Sequence, residues 1–193
     1  MDMLNKPGWI EVVTGPMFAG KSEELIRRIR RLEYAKMHVL VFKPIVDNRY
    51  SIDEVVSHAK NRVKSIVIAK SNEILRHIKM DTDAVVVDEV QFLDHEIIDI
   101  CELLANRGVR VIVGGLDTDF RGEAFPIVAE LTSKAEYVTK LSAICVKCGA
   151  PATKTQRIVN GVPASYDDQI VVVGANEQYE PRCRHCHQIV KNK

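Results

Sequence analysis

Gly15-Pro16-Met17-Phe18-Ala19-Gly20-Lys21-Ser22 reads G-x-x-x-x-G-K-S, and its flanks decide what the string means. Before it, Trp9-Ile10-Glu11-Val12-Val13-Thr14 is a short run of strand-forming residues. After it, Leu25, Ile26, Ile29 and Leu32 recur at the spacing of one helix face. Strand, glycine loop and helix N-terminus together make a phosphate cradle. Backbone N–H groups curl around the anion, and the helix dipole favours negative charge there. In such a cradle Lys21 reaches the β- and γ-phosphates and the Ser22 hydroxyl takes Mg²⁺. The sequence therefore predicts a site for a nucleoside triphosphate.

Working outward, Val39–Phe42, Ser65–Ala69, Ala84–Asp88, Val109–Val113 and Tyr137–Leu141 read as further strands. A helix is expected around Glu73–Lys79. A stronger one carries Ile97, Ile98, Cys101, Leu104 and Ala105 and is closed by Gly108. The runs at 84–88 and 109–113 are nearly all apolar, as for strands covered on both faces. This alternation predicts an α/β fold with a mainly parallel sheet flanked by helices. Helical periodicity stops after residue 141, dividing the chain into a nucleotide-binding unit over 1–141 and a small unit over 142–193. Within the second, Gln156–Val159 precedes Asn160-Gly161, a two-residue hairpin turn.

With 193 residues, 46% of them hydrophobic, the chain can bury one good core and a small module. A formal net charge of +1 argues against a protein held to nucleic acid mainly through phosphates. No apolar run has membrane-spanning length and no signal-peptide core is visible, so a cytoplasmic protein is expected. Arg27, Arg28, Arg30, Arg31 and Lys36 make the first helix basic, but Glu23–Arg27 and Glu24–Arg28 at i,i+4 fit a solvated face better than a nucleic-acid surface.

In a phosphate-loop protein Mg²⁺ needs a carboxylate at the tip of a neighbouring parallel strand, and Val85-Val86-Val87-Asp88 supplies one. Glu89 follows, where a carboxylate can take a proton from an attacking hydroxyl or water. Cys145-x-x-Cys148 and Cys183-x-x-Cys186 suit a structural, tetrahedral Zn²⁺ that clips both ends of the intervening loop. Redox use of the pairs is the competing reading. His185 and His187 flank the second pair as alternative ligands, and Cys101 is most simply a core residue.

These motifs together resemble the type II thymidine kinases, the cytosolic and bacterial form. The resemblance covers nearly the whole chain. It rests on the phosphate loop, Asp47-Asn48-Arg49-Tyr50, Asp88-Glu89-Val90-Gln91-Phe92, Leu116-Asp117-x-x-Phe120 with Phe125, and the two cysteine pairs. It implies a P-loop, RecA-like sheet with a small C-terminal zinc-binding domain carrying a loop that covers the substrate. It also implies transfer of the γ-phosphate of ATP to the 5′-hydroxyl of thymidine or deoxyuridine. Glu89 would be the base, Asp47 and Asp88 would organise Mg²⁺ with Ser22, and Arg49 would offset charge on the transferred group. Val90 and Gln91, within their motif, are placed with the nucleotide. Met17, Phe92, Leu116, Phe120 and Phe125 would line the thymine slot, although each phenylalanine read singly is a core residue. Thr155, the stretch Ile170-Val171-Val172-Val173-Gly174 and Tyr179 would complete it. A homotetramer inhibited by thymidine triphosphate is implied as well. The rivals are a RecA- or helicase-like ATPase, with Glu89 activating water, and a zinc-stapled nucleotide switch without turnover.

Overall fold

Strand β1 (Trp9–Gly15) is buried from Ile10 to Gly15, and it sits inside a sheet rather than at an edge. The computed structural model describes residues 7–45, 54–56, 62–170 and 177–191. After β1 come α1 (Lys21–Tyr34), β2 (Val39–Pro44), β3 (Glu54–Val56), β4 (Arg62–Lys64) and β5 (Ile66–Ile68). Then follow β6 (Ala84–Val87), α2 (Ile97–Asn106), β7 (Arg110–Leu116), α3 (Pro126–Lys134) and β8 (Tyr137–Lys140). The remaining strands are β9 (Ala143–Ile144), β10 (Pro151–Ala152), β11 (Lys154–Val159), β12 (Val162–Pro163) and β13 (Glu177–Arg182).

Six strands form one sheet in the order β5-β2-β6-β7-β1-β8, with every pair parallel. The continuous apolar runs have the expected cause. In β6, Val85 and Val87 join the core under α2 and α3, while Ala84 and Val86 join the core under α1. Leu25, Ile26, Ile29 and Leu32 of α1 fill the second core, and Ile97, Ile98, Cys101 and Leu104 of α2 the first. At Asn160 and Gly161, φ values of 50° and 81° make the left-handed two-residue turn that pairs Val159 with Val162. Strand β11 is central in the small sheet, between β12 and β13.

Two local expectations are corrected. The helix expected around Glu73–Lys79 is a 3₁₀ turn over Ser71–Arg76. Ser71 and Ile74 are its buried residues, and their spacing of three suits 3₁₀ winding, whereas an α-helix needs a wider apolar face. On α1, Glu24 holds Arg28 at 2.8 Å, as the i,i+4 spacing predicts, but it also takes Arg27, at 2.6 Å and i,i+3, in place of the expected Glu23–Arg27 pair. Arg28 also reaches the buried Glu11 of β1, which takes Arg110 and the Trp9 indole N–H as well. Burial pushes the Glu11 carboxyl up, but these donors outweigh it and leave it below its ordinary value. Of the basic residues on this helix, Arg27 and Arg28 are thus paired within the protein.

The hydrogen bond from Arg27, with help from Arg28, holds the Glu24 carboxyl down at about 2, from an unfolded value of 4.5. A depressed carboxyl stabilises above its unfolded value and loses that stabilisation as pH falls toward the folded one. Glu24→Gln is therefore expected to cost about 1 kcal/mol at pH 7, after discounting for solvent screening. In urea unfolding the gap to wild type should close between pH 4.5 and about 2. A gap that persists at the acid end would assign the loss to packing instead.

Candidate active site and metal centre

The phosphate loop leaves β1 at Gly15, where φ is 146° and any Cβ would lie 2.4 Å from the Leu141 carbonyl oxygen. Only glycine fits that approach. At the other end Gly20 is left-handed, with φ 82° and ψ 23°, and no side chain caps α1. The N-terminus of this 14-residue helix thus carries no side-chain cap, and its dipole favours an anion there. Lys21 is buried and donates from Nζ to the Pro16 carbonyl at 2.8 Å, back across the loop it belongs to. Met17 N–H donates to the Thr155 hydroxyl at 3.0 Å, and Ala19 packs on the cluster of Ala143, Cys145, Ala152 and Cys183. The loop is therefore braced by β11 and by the cysteine region.

Asp88 follows β6 directly and accepts from the Ser22 hydroxyl through Oδ2 at 3.4 Å. The neighbour relation expected from sequence is corrected here: β7 lies between β6 and β1. The pairing Val87↔Val113 sets Gly114 and Gly115 of β7 beside the end of β6. A Cβ on Gly114 would stand 3.2 Å from Asp88 Oδ1 and 2.6 Å from Leu25 Cδ1. The intervening strand is bare where the carboxylate and α1 converge across it.

Glu89 has φ 51°, an uncommon left-handed setting for a non-glycine residue that turns the chain sharply into a 3₁₀ turn over Val90–Phe92. Its N–H donates to Asp88 Oδ1 at 2.9 Å, so the two acidic residues are held as a unit. Gln91 donates from Nε2 to Glu89 Oε2 at 2.5 Å. Val90 is fully buried in the core, so its side chain packs rather than facing a ligand.

The aromatic residues expected in the nucleoside slot are only partly grouped. Phe92 and Phe125 meet edge to face with ring centroids 6.5 Å apart. Leu116 ends β7 opposite Gly15. Phe120 is 3% exposed, with the Arg157 and Arg121 guanidinium carbons 5.1 and 5.6 Å from its ring centre. Tyr179 lies opposite Arg157 in the β11–β13 pair and is half-buried, and Ile170 is exposed. Asp47, Arg49, Val171, Val172, Val173 and Gly174 lie outside the described residues.

Several organising residues had no usable sequence signal, because isolated polar side chains in loops and short strands carry no period. Asp119 accepts the N–H groups of Arg121 and Glu123 and so closes the 119–123 turn. Gln156, 1% exposed, exchanges two bonds with the Gln188 backbone, at 2.9 and 2.8 Å. The His187 ring nitrogen Nε2 meets the Phe120 carbonyl at 2.8 Å, which joins the residue after the last cysteine to the segment that follows β7.

The sulfurs of Cys145, Cys148, Cys183 and Cys186 all lie within 4.8 Å of one another, with Cys148 and Cys183 at 3.6 Å. Tetrahedral Zn–S bonds of about 2.3 Å put neighbouring sulfurs about 3.8 Å apart, so the set fits a zinc ion and no disulfide. Burial raises the Cys145 thiol, yet backbone donors at Cys183, Lys147 and Cys148 prevail and hold it at about 6. Burial pushes Cys101 up to about 12, which leaves it an inert core thiol. Neither His185 nor His187 belongs to the four-sulfur group.

The sequence model of a family described as thymidine kinase matches residues 8–187. The chain belongs to the thymidine kinase family. Membership makes it a kinase in general terms, with nucleotide and thymidine as its substrate classes, and the α/β sheet with a four-cysteine cluster agrees with that. Among the described residues no helix is long and apolar enough to cross a membrane.

For this thymidine kinase family member, metal analysis should find one zinc per chain, and Cys183→Ser should abolish it. Because Ala19 packs on the cysteine cluster, and Phe120 is held by His187 next to Cys186, affinities for Mg-ATP and thymidine should both fall, each by about tenfold or more. Well-folded wild-type protein without zinc would refute the structural role.

Proposed function

We propose that this chain transfers the γ-phosphate of ATP to the 5′-hydroxyl of thymidine, accepting deoxyuridine too, and so supplies thymidine monophosphate for DNA synthesis. One observation carries the reading: Asp88 bonds the phosphate-loop Ser22 while its neighbour Glu89 is held in a strained turn at the same sheet edge. Phosphate cradle and candidate base are thus adjacent, as an in-line transfer to a hydroxyl requires.

The roles follow from the chemistry of each group. Lys21 gives up its internal bond to Pro16 and turns to the β- and γ-phosphates. Ser22, Asp88 and Asp47 would hold Mg²⁺, which would supply neutralisation of phosphate charge. Glu89 takes the proton of the 5′-hydroxyl as its oxygen attacks, and Arg49 offsets charge on the phosphoryl group. Met17, Phe92, Leu116, Phe120 and Phe125 enclose thymine, with Thr155, Tyr179 and the main chain of 170–174 around it. In this reading residues 1–141 form the nucleotide unit and 142–193 a zinc-stapled unit that covers the nucleoside. A cytoplasmic homotetramer, inhibited by thymidine triphosphate in the same site, completes the proposal.

The test is ADP release from Mg-ATP with thymidine, with cytidine, and with single-stranded DNA. Thymidine alone should stimulate it, with thymidine monophosphate formed in equal amount. Thymidine-independent or DNA-stimulated release would turn the reading to an ATPase. Glu89→Gln should keep both substrates bound and lose about 100-fold or more in kcat, the usual share of a general base. A rate near wild type would remove Glu89 from that role.

A further inference from the structure

Gln91 is 8% exposed, and a primary amide buried to that degree needs partners for both of its ends. It has them on opposite sides. The Leu116 N–H donates to Oε1 at 3.2 Å, and Nε2 donates to Glu89 Oε2 at 2.5 Å. The assignment of its oxygen and nitrogen is forced by chemistry. A backbone N–H can only donate, and an ionised carboxylate can only accept, so the flipped amide would be repelled at both ends.

The surroundings are shaped for this amide. A Cβ on Gly115 of β7 would stand 2.8 Å from Gln91 Oε1 and 3.0 Å from both Val90 Cγ1 and Val128 Cγ2. The 3₁₀ turn is closed by bonds from Phe92 N–H to the Glu89 carbonyl and from Leu93 N–H to the Val90 carbonyl, each 3.1 Å. That turn carries the side chain of residue 91 back onto residue 89.

We infer that Gln91 is the positioning residue of the candidate base, clamping the Glu89 carboxylate to the backbone of β7 at the wall of the nucleoside slot. The inference rests on Glu89 being the base and goes beyond it. Gln91 acts through Glu89 rather than on the nucleotide. A carboxylate held by a fixed amide keeps a fixed direction. Direction matters, because proton removal needs hydrogen-bond reach and a misplacement of about 1 Å costs on the order of 100-fold. Leu116 N–H orients the amide, so the base and the slot wall share one rigid reference.

The experiment uses the full zinc-containing chain in a double-mutant cycle of Gln91→Met with Glu89→Gln, together with Gln91→Glu. Gln91→Glu keeps the acceptor for Leu116 N–H and the volume, but replaces the donor toward Glu89 by an acceptor. It therefore carries the test if Gln91→Met does not fold. Expected are losses in kcat of about 10- to 100-fold for both variants, with thymidine and Mg-ATP dissociation constants within about threefold of wild type. In the Glu89→Gln background, Gln91→Met should add less than about threefold. Any of three results overturns the proposal: kcat near wild type, binding that weakens in step with kcat, or an undiminished effect in the Glu89→Gln background. An inactive Glu89→Gln beside fully active Gln91 variants sinks the positioning role alone. An active Glu89→Gln sinks the base reading and the positioning role with it.

Discussion

A carboxylate at the end of β6 has to meet a hydroxyl at the start of α1 across a whole intervening strand. The gap closes because β7 carries no side chain at Gly114 and Gly115. Any Cβ at Gly114 would press on Leu25 and Asp88 together, moving the helix that presents the phosphate loop and the acid that faces it. Gly115 makes the same kind of room for the Gln91 amide. Two glycines in a buried strand cost stability through lost packing and greater chain entropy. Here that cost accompanies the convergence of phosphate loop, acidic pair and amide at one sheet edge.

The cysteine cluster bears on the same edge from the other side. Ala19 packs on it, Thr155 accepts the Met17 N–H, and His187 contacts the Phe120 carbonyl. A small sheet of short strands buries little apolar area, and metal closure is the usual remedy for such a unit. The braces make the cluster more than a local staple, since both the phosphate loop and the expected base slot lean on elements that it organises.

Much of the fold was legible because its signals are periodic or stereochemically strict. The strands at 9–14, 39–42, 84–87 and 137–140, the two longer helical faces and the Asn160-Gly161 hairpin all appear where residue pattern put them. The helix expected around Glu73–Lys79 is instead the 3₁₀ turn at Ser71–Arg76. A stripe needs a partner surface several turns long, and burial at Ser71 and Ile74 provides one turn. The Glu23–Arg27 pairing misled for a different reason. Helical spacing permits i,i+3 as well as i,i+4, and the buried Glu11 drew Arg28 inward.

By itself the sequence determined the phosphate loop, the acidic pair, the four sulfur donors and the α/β class, because each is a local arrangement whose chemistry needs particular residues at a particular spacing. Family membership followed from the same motifs taken together. Strand order was decided only in three dimensions, since nothing in the run 84–88 says that β7 will lie between it and β1. The same holds for the partners of single polar residues. Gln91 on Glu89, Thr155 on Met17, Asp119 within its own loop and His187 on Phe120 are pairings set by which loops the sheet brings to one edge. An isolated Gln, Thr, Asp or His carries no period and no fixed spacing to its partner, so chain packing alone assigns its hydrogen bond.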